Sequence, residues 1–153
     1  MAGFVVATPD YFETLGIPLQ RGRTFAQRDG QPGADPVVVV NETLASRHWP
    51  QQDPIGKRLA FGGSWSTVVG VVANVRQRGL DAPIRDTMYV PHAQRPVRGV
   101  SVVVRTAGSP LVAVDPVRRA IHALDHDVPI SSVFTMDRVV VRSDGTPTYF
   151  MAD

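Results

Sequence analysis

The chain has no cysteine. That excludes disulfides, thiolate metal sites and cysteine nucleophiles, and leaves the redox compartment open. Lysine is nearly absent: Lys57 is the only one, so the 16 basic residues are otherwise arginines. They are scattered and interleaved with Asp and Glu, giving a net charge of +2 and an isoelectric point of about 9.5. A nucleic-acid surface needs basic residues gathered on one face with aromatic stacking partners, so no nucleic-acid partner is expected. Long apolar runs are missing as well. The longest apolar stretches, Val68–Ala73 and Val100–Val104, fall far short of the roughly 20 residues that cross a bilayer. Met1–Phe4 shows neither the basic region nor the long apolar core of a signal peptide. Taken alone, these absences point to the cytoplasm. What remains is ordinary for a globular chain: 153 residues, 43% apolar and 20% charged, enough for one domain or two small ones.

The first strong local pattern runs from Thr8 to Phe25. Thr8 can cap a short helix with Pro9 at its first position, where a missing N–H costs nothing. Tyr11, Phe12 and Leu15 fall on one side of that helix. Gly16 can take the left-handed position that ends it, Pro18 prevents its continuation, and Gly22 marks a bulge or close approach in the strand that follows. Residues 4–7 read as the strand before it and Ala26–Pro36 as a loop. Val37–Val40 reads as a buried strand, and Asn41 as the cap of a helix carrying Leu44, Ala45 and His48 on one side. Asp53–Gly56 reads as a turn. Lys57–Phe61 and Trp65–Ala73 read as a hairpin through Gly62, Gly63 and Ser64. Asn74–Asp86 is irregular, Thr87–Val90 a short strand, and Val100–Arg105 a strong strand. Leu111, Val114, Val117, Ile121 and Leu124 follow helical spacing, with Pro116 predicting a kink or a start near Asp115. Ile130–Thr135 reads as the closing strand.

Three segments together carry a resemblance: Thr8–Phe25; Pro36–Glu42 running on to His48–Pro50; and Asp53–Leu59 followed by Thr67–Val72. Their order and spacing resemble the extracytoplasmic core domain of MacB-type ABC transporter permeases, from about Phe4 to about Val140. The resemblance implies an α+β fold in which porter-like strand–helix–strand segments are interrupted by an inserted β-rich subdomain. The division it suggests is 1–34 for a first, incomplete porter-like segment, 35–98 for the insertion and 99–153 for the returning porter-like segment. It also implies the extracytoplasmic face of the bacterial inner membrane, against the local reading. Implied partners are the protein's own transmembrane helices, an ABC ATPase domain or subunit, a second copy or related permease, and a periplasmic adaptor.

Residues that could carry chemistry are few. His122 and His126 stand four apart and could share a metal on a helix, but the helix is expected to end near Leu124 and let the rings diverge. Gly62-Gly63-Ser64 lacks the glycine pattern, Lys and following helix of a phosphate-binding loop. Ser64 and Ser66 lack a Gly-x-Ser-x-Gly elbow, and His48 has no Asp partner near it in sequence. Asp35, Asp53, Asp81 and Asp86 sit in turn contexts. Trp49, Trp65, Tyr89 and Phe61 read as core anchors of the middle segment, the alternative being a contact patch. No catalytic, cofactor-binding or metal-binding residue is therefore assigned, and no cofactor is expected.

The leading expectation is a non-enzymatic permease domain that transmits conformational change and contacts partners during export. A second is a module binding a small molecule or peptide in an extracytoplasmic cleft. A third, a stand-alone enzyme, would need His48, His92, His122 or His126 to meet acids or a hydroxyl in space.

Overall fold

Val37–Val40 are β-branched without interruption, and a strand of that kind is stable only when both its faces are covered. In the computed structural model, which describes residues 3–75, 83–130, 132–133, 135, 140–141 and 147–148, they form strand β3 (Val37–Asn41), buried at every position. The other strands of its sheet are β1 (Gly3–Ala7), β2 (Leu19–Gly22), β4 (Arg58–Phe61), β5 (Ser64–Val72) and β6 (Thr87–Pro91). Their order is β1-β6-β3-β5-β2, with β4 also paired to β5. β1 runs parallel to β6 and β3 parallel to β5, while the β3–β6, β2–β5 and β4–β5 pairs are antiparallel. The fold is α+β with a mixed sheet. Segment 1–34 supplies the edge strands β1 and β2, and segment 35–98 supplies the strands between them, so one sheet draws on both.

Each face of the sheet has its own helix. Helix α1 (Tyr11–Leu15) buries Phe12 and Leu15 against Val37, Val39, Val72 and Tyr89. Burial of each such side chain is worth roughly 1.5–3 kcal/mol. The helix starts later than the sequence suggests, because Asp10 occupies the cap position and Thr8 contributes its backbone carbonyl to Tyr11 N–H, not its hydroxyl. Its end is as expected. Gly16 is left-handed at φ 66°, its N–H reaches Glu13 O, and Ile17 N–H reaches Phe12 O. Helix α2 (Glu42–His48) covers the opposite face with Leu44 and Ala45, and Asn41 Oδ1 caps it by accepting from Leu44 N–H at 3.1 Å. His48 is exposed, not on the buried side as its spacing suggests.

The predicted turns are present. Gly62 and Gly63, at φ 58° and 82°, make the two-residue β4–β5 hairpin turn, where two consecutive positive φ values call for glycine. Gly56 is at φ 80°, and Asp53 Oδ1 accepts from Ile55 N–H.

The later part departs from expectation. Val100–Arg105 is not a strand and pairs with none among the described residues. It is held instead by Val103 against the α1 face and by Arg105 Nε donating to Thr14 O at 2.9 Å. β-branched residues favour extended backbone, but a strand also needs a partner edge, and no described strand pairs with this segment. Helix α3 (Val114–Leu124) follows a 3-10 turn at Pro110–Ala113, so Pro116 falls in the first turn, where it is tolerated. Ile130, Ser132, Val133 and Thr135 are not in a strand, and the other two positions of that predicted element lie outside the described residues. Val140–Val141 (β7) and Pro147–Thr148 (β8) form a small antiparallel pair.

Candidate functional site

Among the described residues the buried polar and charged side chains Asp29, Asn41 and Thr87 all have hydrogen-bond partners, whereas the buried Oδ1 of Asp86 has none. Asp29 is 5% exposed and grips Arg23 with both carboxylate oxygens, at 2.7 and 2.8 Å. Its Oδ2 also accepts from Ala26 N–H at 2.8 Å. The Arg23 guanidinium holds the Asp29 carboxyl below the usual carboxylate range, and burial works against this. Asn41 uses its whole amide. Oδ1 takes Leu44 N–H and Thr87 N–H, and Nδ2 donates to Asn74 Oδ1 and Arg85 O, each at 2.8 Å. These joints tie loop to sheet, and their satisfied geometry leaves little spare hydrogen-bonding capacity for a substrate.

The sequence-flagged residues do not converge. His48 lies on the surface beside Trp49, with ring centroids 5.8 Å apart. His92 is fixed through its backbone to Ala7 O. His122 and His126 remain close, at 5.8 Å between centroids, although α3 ends at Leu124. The expected divergence does not occur, because the chain turns at Asp125–Asp127 and brings the second ring back. No group of three metal-ligating side chains exists among the described residues. Tyr89 is a core anchor, 1% exposed. Trp65 is not: it is 56% exposed, with Arg58 lying over its ring at 5.5 Å. It sits at the start of β5, before β3 begins to pair, so no layer covers it.

Exposed apolar side chains are concentrated in the later part of the chain. Val100, Val102 and Val104 are 64%, 62% and 49% exposed, whereas Val103 between them packs inward. Leu111, Val112 and Leu124 are also exposed, and no residue of α3 is buried. An amphipathic helix and an alternating strand-like segment left open together mark a contact surface. Two open clefts flank the sheet elsewhere. One of about 640 Å³ lies beside Trp49, Glu42 and Gln51, the last at φ 59°. The other, of about 520 Å³, lies beside Phe61, Ser66 and Arg95. Both mix polar and apolar walls.

An α+β domain with a mixed sheet, an Arg23–Asp29 pair bracing its loop and an open apolar surface is suited to contacts. Residues 2–124 match the family described as MacB-like periplasmic core domain, and the chain belongs to that family. It is an extracytoplasmic domain of a MacB-like ABC transporter permease. The crystal structure of the periplasmic region of MacB from Actinobacillus actinomycetemcomitans superposes with a TM-score of 0.59 at 21% identity, over 80% of this chain and 56% of that one. Two curated relatives are named macrolide export ATP-binding/permease protein MacB, from Neisseria gonorrhoeae and Neisseria meningitidis. Each is 34% identical over 62 residues, 40% of this chain. That stretch is 10% of each relative's length, so the chain corresponds to a small part of them. No helix among the described residues is long and apolar enough to cross a membrane.

Sequence reasoning overlooked the Arg23–Asp29 pair and the Asn41–Asn74 link. Asp29 three residues after Ala26, in the first turn of a short helix, was a usable signal for its bond to Ala26 N–H but not for its pairing with Arg23. Nothing in the sequence signals the second, which joins residues 33 positions apart.

Proposed function

We propose that this domain is a non-enzymatic coupling element, which passes movement from the membrane part of its permease to partners outside the membrane during export. The observation that carries the reading is the inward Val103 flanked by exposed Val100, Val102 and Val104, next to a helix with no buried residue. Such a surface is made for packing against another body. The sheet-bearing part and the returning segment from 99 onward are then two bodies that shift against each other as the transporter cycles, the insertion being 35–98. ATP is hydrolysed elsewhere, by an ABC ATPase domain or subunit. The protein's own transmembrane helices, a second copy or related permease, and a periplasmic adaptor complete the assembly at the bacterial inner membrane.

The absence of native cysteine in this chain makes a direct test practical. In the intact permease, with cysteines elsewhere removed, Gln52→Cys and Arg119→Cys carry paired spin labels, both at exposed positions. Pulsed dipolar spectroscopy should show the interlabel distance distribution shifting between ATP-bound and nucleotide-free states. An unchanged distribution in a preparation with full ATPase activity would rule out coupling between these two parts.

A further inference from the structure

Strand β5 begins before its neighbour β3 does. The first residues paired between them are Val37 and Thr67, so Ser64, Trp65 and Ser66 precede the shared ladder. On one edge these residues pair with β4. Ser64 and Ser66 turn their backbone groups to β4, so on the β3 side, where no described strand pairs, the free backbone groups are those of Trp65; the Ser64 and Ser66 flanking it line the 520 Å³ cleft together with Pro36 and the loop before it. Unpaired strand edges of this kind accept extended chains.

The same cleft holds a positioned positive charge. The Arg95 guanidinium lies over the rings of Phe4 and Phe61, 5.0 Å from each centroid, and those rings are stacked at 4.6 Å. The hairpin glycine makes room for it: a Cβ on Gly62 would stand 3.1 Å from Arg95 Nη1. Arg95 N–H is fixed in turn to the Pro91 and His92 carbonyls. No carboxylate of the described residues pairs with this guanidinium. A planar cation held in place by ring faces, with its charge uncompensated, suits a carboxylate supplied from outside.

We propose that this cleft binds an extended, acidic peptide segment of a partner protein, which adds to the free edge of β5 at Trp65 and places a carboxylate on Arg95. The edge supplies backbone hydrogen bonds without regard to sequence, and Arg95 supplies the preference for Asp or Glu. The surface is separate from the one formed by Val100–Val104 and α3, so the inference does not depend on the coupling role.

Titration of the full 153-residue chain with blocked peptides, followed by ¹H–¹⁵N NMR, tests this. The probes are acetyl-Thr-Val-Glu-Val-Thr-amide, the same peptide with Gln for Glu, and acetate. The Glu peptide should shift the Ser64–Ser66 amides saturably. The Gln peptide should bind about tenfold more weakly, as expected for loss of one charge-assisted contact. Arg95→Gln, with its spectrum unchanged outside the cleft, should erase the difference between the two peptides. Equal binding of both peptides to the unaltered chain would overturn the role of Arg95. Acetate reproducing the Ser64–Ser66 shifts at the same concentration would overturn strand addition. Shifts confined to other surfaces, or none, would overturn both.

Discussion

Gly22 and Gly70 face each other across the β2–β5 ladder, and neither position has room for a side chain. A Cβ on Gly22 would collide with the Val69 carbonyl oxygen, and one on Gly70 with the Arg23 carbonyl oxygen. Gly22 also has φ +72°. Each glycine lets the other strand's backbone come close, and Arg23 N–H uses that proximity to reach Val69 O at 2.9 Å. Gly70→Ala should therefore lower stability by about 2–4 kcal/mol, and Gly22→Ala by a similar amount, through backbone collision and strain. Urea unfolding followed by tryptophan fluorescence measures both. A loss below about 1 kcal/mol, no more than an ordinary glycine-to-alanine change, would show that the strands can separate at no cost.

Asp29 predicts a pH dependence. Its carboxyl lies below the usual range when folded, so the unfolded chain binds its proton more readily. The pair's contribution is then fully present above the unfolded value of about 4 and is lost as pH falls through the folded value. Asp29→Asn should flatten this acid limb. At neutral pH it should cost about 1–2 kcal/mol, a modest figure because Arg23 is 34% exposed and partly screened. Stability curves of the two proteins that run parallel from pH 3 to pH 7 would contradict the assignment.

Asn41→Ala removes the α2 cap and orphans Thr87 N–H and the Arg85 carbonyl. The expected loss is about 2–3 kcal/mol. Amide hydrogen exchange gives a more specific readout. Protection at Thr87 and Leu44 should fall together, because one oxygen accepts from both. Faster exchange at Leu44 alone would mean that the residue acts only as a cap.

The exposed valines predict self-association of this chain when it is isolated. Sedimentation should show dimers or larger species growing with concentration. Val100→Glu combined with Val102→Glu should shift the chain toward monomer without lowering its melting temperature, since neither side chain is buried. A monomer at every concentration in the unaltered chain would remove this surface as a sticky face.

Legibility in the sequence followed the range of the interactions. The Gly16 cap, the Asn41 cap, the Gly62–Gly63 turn and the buried Val37–Val40 strand are set by residues within a few positions of each other, and local rules find them. Val100–Arg105 satisfies every local rule for a strand yet is not one, because pairing depends on an edge that local rules do not see. Trp65 was misplaced for a related reason: strand residues are buried only where a layer covers them. The sheet order was beyond local rules too, since β1 takes as its neighbour a strand more than 80 positions away. Of the surface features, the valine alternation was readable. The seat of Arg95 was not, because Phe4 and Phe61 meet only after folding.

The β1–β6 pairing also sets a sequence of events during synthesis. Of the strands in this sheet β1 is made first, but among the described residues its one partner is β6. The β3 strand, though made midway, likewise lacks its second neighbour until Thr87–Pro91 exists. A chain growing from the ribosome therefore carries Phe4, Val5 and Val6 unpaired until residue 91 has left the exit tunnel. The α1 and β2 segments are held open with them, because the sheet face they pack on is incomplete. Stalled chains ending before Thr87 should be cut readily by protease within Gly3–Ala7, and chains ending well beyond Pro91 should resist.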